Sequence, residues 1–97
     1  MSVSNDGWSN KVGTSDRSCS CGTWKQHWIN YSNKDWPTSC SVKGCTSKAT
    51  LGAHVINKTV SGEKIVPMCS SCNSQSYEFS LKGKTGIPSA NISKTCG

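Results

Sequence analysis

The sequence contains Cys40-Ser-Val-Lys-Gly-Cys45 and, separated from it by twenty-three residues, Cys69-Ser-Ser-Cys72. Each cysteine pair can present two thiolates from one tight turn. A structural zinc ion takes four such ligands in a tetrahedron, so two close pairs at this separation are typical of a zinc site. The spacing therefore predicts that Cys40, Cys45, Cys69 and Cys72 hold one zinc ion.

The composition also favours a cross-linked fold. Only 33% of the 97 residues are hydrophobic and a single one is Phe, so the chain is short of material for a self-sufficient core. Small domains of this kind are commonly stabilised by a metal ion or by disulfides. Disulfides remain the alternative, and three glycosylation-type triplets, at Asn30, Asn57 and Asn91, are the hint of a secreted protein.

The N-terminal sequence and the odd number of cysteines favour metal over disulfides. The first residues carry no basic start, no apolar stretch and no cleavage pattern of a signal peptide, and no segment approaches the ~20 apolar residues of a membrane span. We therefore expect a cytoplasmic, reducing setting and no membrane partner. Full disulfide pairing of seven cysteines would also leave one thiol over.

The chain divides into a tail and one domain. Residues 1–17 are polar and show no periodicity, which predicts a flexible N-terminal tail. Residues 18–97 are expected to form a single zinc-binding domain. Aromatic residues at helical spacing predict a short N-terminal helix over 23–31, with Thr23 as its cap.

The segment between the cysteine pairs predicts a β-hairpin. Residues 49–57 and 64–68 have the apolar and β-branched content of strands, and the turn is expected at Ser61-Gly62. A hairpin brings its two ends together, so Cys45 and Cys69 can reach one ion. The residues after Cys69 are compatible with a second helix, and the fold class is therefore a small α+β domain.

This order of elements resembles a known zinc fold. A cysteine knuckle, a hairpin and a helix with the second cysteine pair follow each other in the treble-clef zinc finger, and residues 40–73 resemble the zinc-bearing HNH, or ββα-metal, nucleases. The similarity rests on the cysteine pairs, on Gly52-Ala53-His54-Val55-Ile56 and on Asn73. It implies a treble-clef core, with His54 as the general base of an endonuclease and Asn73 on its catalytic ion.

Two positions depart from the nuclease pattern. Ala53 stands where that family usually has an Asp or His metal ligand, and Lys64 stands in place of the middle Asn. Glu63 is the only carboxylate between Asp35 and Glu78, so no acidic cluster replaces the missing ligands. We therefore favour a non-catalytic protein and keep an HNH-type endonuclease as the alternative.

The remaining cysteines predict a second zinc site. Cys19, Cys21 and Cys96 with one histidine make a Cys3His set, which is a usual composition of structural zinc sites. His54 is the preferred fourth ligand and His27 is the rival, and the sequence does not decide between them. Free thiols or a redox pair are the alternative for these cysteines. The expected cofactor is thus zinc, as two ions.

The charge favours a polyanionic partner without demanding one. Eleven basic and five acidic residues give a net charge of +6. Four tryptophans precede the zinc motif, and they can form either the core or an exposed aromatic surface. Three functions stay open: a nucleic-acid- or protein-binding module, which we favour, an endonuclease, and a small inhibitory or regulatory interaction protein. No small-molecule substrate is evident.

Overall fold

The computed structural model describes residues 6–11, 22–75, 78–83 and 85–90. Its elements in chain order are β1 (Trp8–Asn10), α1 (Trp24–Ser32), β2 (Leu51–Asn57), β3 (Val60–Met68) and α2 (Ser70–Asn73). The strands form one antiparallel sheet in the order β1-β2-β3, and α1 packs against β2 and β3. The predicted α+β class is confirmed.

Helix α1 begins at the cap that the sequence predicts. Thr23 has an extended backbone, and its hydroxyl accepts a hydrogen bond from the Gln26 amide at 3.1 Å, as an N-cap residue does. The helix ends at Ser32, and its C-cap residue Asn33 adopts a left-handed conformation with φ of 59°. His27 and Trp28 form the buried face of α1.

A glycine allows α1 to lie directly on the sheet. A Cβ atom placed on Gly52 would come within 2.5 Å of the Trp24 carbonyl carbon and 2.8 Å of the Lys25 amide nitrogen. No side chain fits at that distance, so the backbone of β2 can touch the first turn of α1 only because residue 52 is glycine.

The predicted β2–β3 hairpin is present, but its turn was predicted at the wrong residues. Lys58 and Thr59 form the turn, and Asn57 Oδ1 accepts hydrogen bonds from the Thr59 amide (2.9 Å) and hydroxyl (2.8 Å). An Asn that bonds the backbone two residues further on is a typical turn former. Ser61 and Gly62 lie instead inside β3, where Gly62 has φ of 80°.

Residues 8–10, which the sequence placed in the polar N-terminal tail, form strand β1. Trp8 to Asn10 pair with Asn57 to Val55 of β2. The Trp8 side chain is fully buried, and its backbone exchanges two hydrogen bonds with Phe79, at 3.0 and 2.8 Å. Burial of one Trp removes roughly 150–250 Å² from water, which is the main reason that a polar segment is ordered here.

The outer edge of β3 is covered by a later segment of the chain. The Ile65 amide donates to the Pro88 carbonyl at 3.0 Å, and the Ala90 amide donates to the Glu63 carbonyl at 2.9 Å. A covered edge satisfies backbone groups that would otherwise be open to pairing with another chain.

The hydrophobic core lies between the sheet and the cysteine turns. It consists of buried side chains from every strand and from both cysteine pairs: Trp8, Cys40, Val42, Ala53, Val55, Val66, Met68, Cys69, Phe79 and Leu81. The predicted use of tryptophan as core material is confirmed for Trp8 and Trp28. Neither helix in the described part of the chain is long and apolar enough to cross a membrane.

Candidate metal centre

The first cysteine pair flanks a tight turn. The Cys45 amide donates to the Val42 carbonyl at 3.0 Å, and Gly44 takes a left-handed conformation with φ of 87°. The Cys40 amide donates to the Ser47 carbonyl at 2.8 Å, which folds the chain back on itself. The turn thereby presents both sulfurs on one side.

The second pair lies where β3 runs into α2. Cys69 is the N-cap of α2, and its sulfur accepts a hydrogen bond from the Cys72 amide at 3.5 Å. The helix is a single turn that ends at Asn73, with Ser74 as its C-cap. The β2–β3 hairpin pairs Leu51 with Met68, so its two ends lie side by side and Cys69 lies next to Cys45.

The four sulfurs form one compact cluster. All of them lie within 4.8 Å of one another, with Cys45 Sγ 3.8 Å from Cys69 Sγ and 3.6 Å from Cys72 Sγ. A tetrahedral ion with Zn–S bonds of ~2.3 Å sets its ligand sulfurs about 3.8 Å apart. A disulfide needs about 2.05 Å, so the separations fit a metal tetrahedron and not two disulfides.

The four thiols of the cluster differ in how readily they lose a proton. Burial raises the pKa of the Cys40 thiol, and burial together with the neighbouring thiols raises the pKa of Cys72. A backbone hydrogen bond from Ser47 lowers the pKa of Cys45 to about 7. Four adjacent thiolates repel each other, so a divalent cation is what allows all four to ionise together.

Two polar side chains that the sequence did not single out support the cysteine turns. Lys82 Nζ donates to the Cys45 carbonyl at 2.7 Å and to Ser39 Oγ at 3.2 Å. Asn10 Nδ2, on β1, donates to the Cys72 carbonyl at 2.8 Å and to the Gln75 carbonyl at 3.0 Å. Both lie far from the cysteines in sequence, so no local spacing points to them.

His54 and Asn73, the residues considered for nuclease chemistry, are not members of the four-cysteine cluster. His54 is on β2 and only 5% exposed, and the Trp24 ring packs on its ring with a centroid distance of 4.3 Å. Asn73 is exposed at the end of α2. In the described part of the chain, the four cysteines are the only group of three or more His, Cys, Asp or Glu residues arranged to hold an ion.

The predicted second zinc site falls largely outside the described residues. Cys19, Cys21 and Cys96 belong to that part of the chain, so only its histidine candidates can be located. The preferred ligand, His54, packs its ring against the Trp24 ring. The rival, His27, is fully buried, and its Nε2 lies 2.7 Å from the Ser89 carbonyl oxygen.

Comparisons with protein-family models, with curated proteins and with solved structures find no match to this chain.

Proposed function

We propose that the protein is a zinc-stabilised binding module that does not catalyse a reaction and whose partner is a nucleic acid. The observation that carries the proposal is the four-cysteine cluster, whose sulfur separations suit a tetrahedral ion. A tetrahedral set of four sulfurs is typical of zinc or iron. Zinc is the proposed ion, and the core around it is proposed to be treble-clef-like.

A site with four protein ligands favours a structural role. Catalytic zinc sites usually keep one position open for water or substrate, whereas four cysteines fill the tetrahedron. The buried position of His54 under Trp24 also speaks against its use as a base on an external substrate. The endonuclease alternative is therefore not favoured by any contact in the described residues.

The nucleic-acid partner rests on the net charge of the chain and on its exposed lysines. The chain carries a net charge of +6, and basic side chains gain affinity for phosphate backbones by displacing counterions. Five lysines of the described residues are exposed: Lys25, Lys34, Lys43, Lys48 and Lys58. Lys25 also lies over the Trp36 ring, 5.0 Å from its centroid.

Binding of labelled oligonucleotides across a salt series tests this function. Fluorescence anisotropy with single- and double-stranded DNA and RNA should give affinity that falls linearly with the logarithm of salt concentration, because released counterions drive the binding. Absence of binding at low salt to all four probes contradicts the proposal. A protein that co-purifies and binds independently of salt would point to the protein-interaction alternative.

A further inference from the structure

A cavity lies beside the first cysteine turn, where Ser39 and Ser41, the two neighbours of Cys40, are part of its lining. Its volume is about 180 Å³. Six side chains with polar or charged groups line it: Lys34, Asp35, Ser39, Ser41, Lys82 and Thr85. It is several times larger than the roughly 30 Å³ that one water occupies in the liquid, so it has room for a small ion with water.

The charge of Lys82 is held in place at this cavity. Its Nζ donates to the Cys45 carbonyl at 2.7 Å and to Ser39 Oγ at 3.2 Å. An ammonium group has three protons, so these two bonds leave one proton for a ligand. Because the first bond goes to a metal-site cysteine, the position of this ammonium depends on the metal centre.

The walls of the cavity are fixed by hydrogen bonds. The Lys82 amide donates to the Ser41 carbonyl at 2.8 Å, and Thr85 Oγ1 donates to the Lys82 carbonyl at 2.7 Å. Trp28 Nε1 donates to the Gly86 carbonyl at 2.8 Å, which fastens the same loop to α1. The cavity is thus preformed, which lowers the entropy lost when a ligand binds.

We propose that this cavity binds an oxyanion, namely a phosphate group, with Lys82 and Lys34 as its cationic contacts and the serine hydroxyls as further donors. Two ammonium groups against the exposed carboxylate of Asp35 leave the lining with a net charge of +1. Ser41 is only 4% exposed and still lines the cavity. The proposal rests on the proposed function, because it assigns a phosphate contact to the binding module.

Titration of the zinc-loaded protein with inorganic phosphate tests the site. Backbone amide NMR shifts, recorded at constant pH and ionic strength with chloride as the replaced anion, should change and saturate at residues 39–41 and at Lys82, Gly83, Thr85 and Gly86. Shifts that do not saturate, or that are spread evenly over the surface, overturn the proposal.

Two neighbouring residues of opposite charge give the sharper test. Lys34→Gln should weaken phosphate binding and Asp35→Asn should strengthen it, each about two- to five-fold, as expected for exposed charges. Lys64→Gln, on β3 and outside the cavity lining, should leave the phosphate affinity unchanged. Loss of folding cannot strengthen binding, so failure of Asp35→Asn to tighten it contradicts the site.

The same variants separate this inference from the function on which it rests. If oligonucleotides bind and phosphate leaves the cavity resonances unmoved, the oxyanion site is wrong and the nucleic-acid function stands. If phosphate binds with the predicted charge dependence and no oligonucleotide does, the site stands and takes a free oxyanion. If both bind, Lys34→Gln should weaken both.

Discussion

The four cysteines of the metal centre differ in their access to solvent. Cys40 and Cys69 are buried, whereas Cys45 and Cys72 are partly exposed. The reactivity of a sulfur depends on its thiolate character and on access. Since all four are thiolates when a metal is bound, access is the property that distinguishes them.

The partly exposed cysteines of the metal-loaded protein should therefore be alkylated before the buried ones. With N-ethylmaleimide at limiting concentration, we expect Cys45 and Cys72 to be modified before Cys40 and Cys69, as measured by peptide mass spectrometry. The control is the chelated, denatured protein, in which the four should react alike. Initial modification of Cys40 in the loaded protein would contradict the geometry of the centre.

At the scale of elements, the contact between α1 and β2 depends on one missing side chain. Gly52 lies so close to Trp24 that an added Cβ would be 2.5 Å from its carbonyl carbon. Backbone atoms cannot move aside as a flexible side chain can, so the helix would have to shift away from the sheet.

Gly52→Ala should lower the free energy of unfolding by about 1–3 kcal/mol, the usual cost of overpacking. Thermal unfolding followed by circular dichroism measures it. Gly83→Ala is the matched control, because an added Cβ there would meet no atom within 4 Å. Equal stability of the two variants would show that α1 does not rest on β2 as described.

Strand β1 is the element in which burial overrides a polar sequence. Trp8→Ala should lower the free energy of unfolding by about 3–5 kcal/mol, the range for removing a buried aromatic side chain. That loss is a large part of the total stability of a small domain. Trp8→Phe keeps most of the apolar area and should cost less. If chemical denaturation finds Trp8→Ala as stable as the parent, residues 8–10 do not contribute a strand to the core.

At the scale of the whole molecule, the parts that were predictable are those encoded by local spacing. The grouping of Cys40, Cys45, Cys69 and Cys72 follows from two short loops, and α1 follows from Thr23 and its aromatic periodicity. Each of these local structures, a cysteine turn or the start of a helix, is determined by residues that lie close together in the sequence.

The parts that were not predictable depend on distant contacts. Strand β1 is ordered by Trp8 meeting Phe79, and the first cysteine turn is supported by Lys82, which is 37 residues from Cys45 in sequence. The turn of the hairpin was misplaced because Ser61-Gly62 has turn composition, while the side chain of Asn57 selects the actual turn. Which of two possible turn positions is used depends on such hydrogen bonds and not on composition alone.

We propose that a zinc ion bound by the four cysteines holds this small fold together. Structural zinc binding is worth roughly 10–16 kcal/mol in small domains at neutral pH, which is comparable to or larger than the total stability of many of them. Removal of one ligand should therefore remove both the ion and the fold.

Native mass spectrometry of the reduced protein and of Cys72→Ser, with circular dichroism of the same samples, tests this role of the ion. We expect the parent to carry zinc and to unfold when the ion is chelated, and Cys72→Ser to lose one zinc together with its structure. The count in the parent also tests the second site, since two ions require ligands beyond the four-cysteine cluster. A metal-free parent that keeps its fold, with its mass lowered by disulfide formation, would contradict the account.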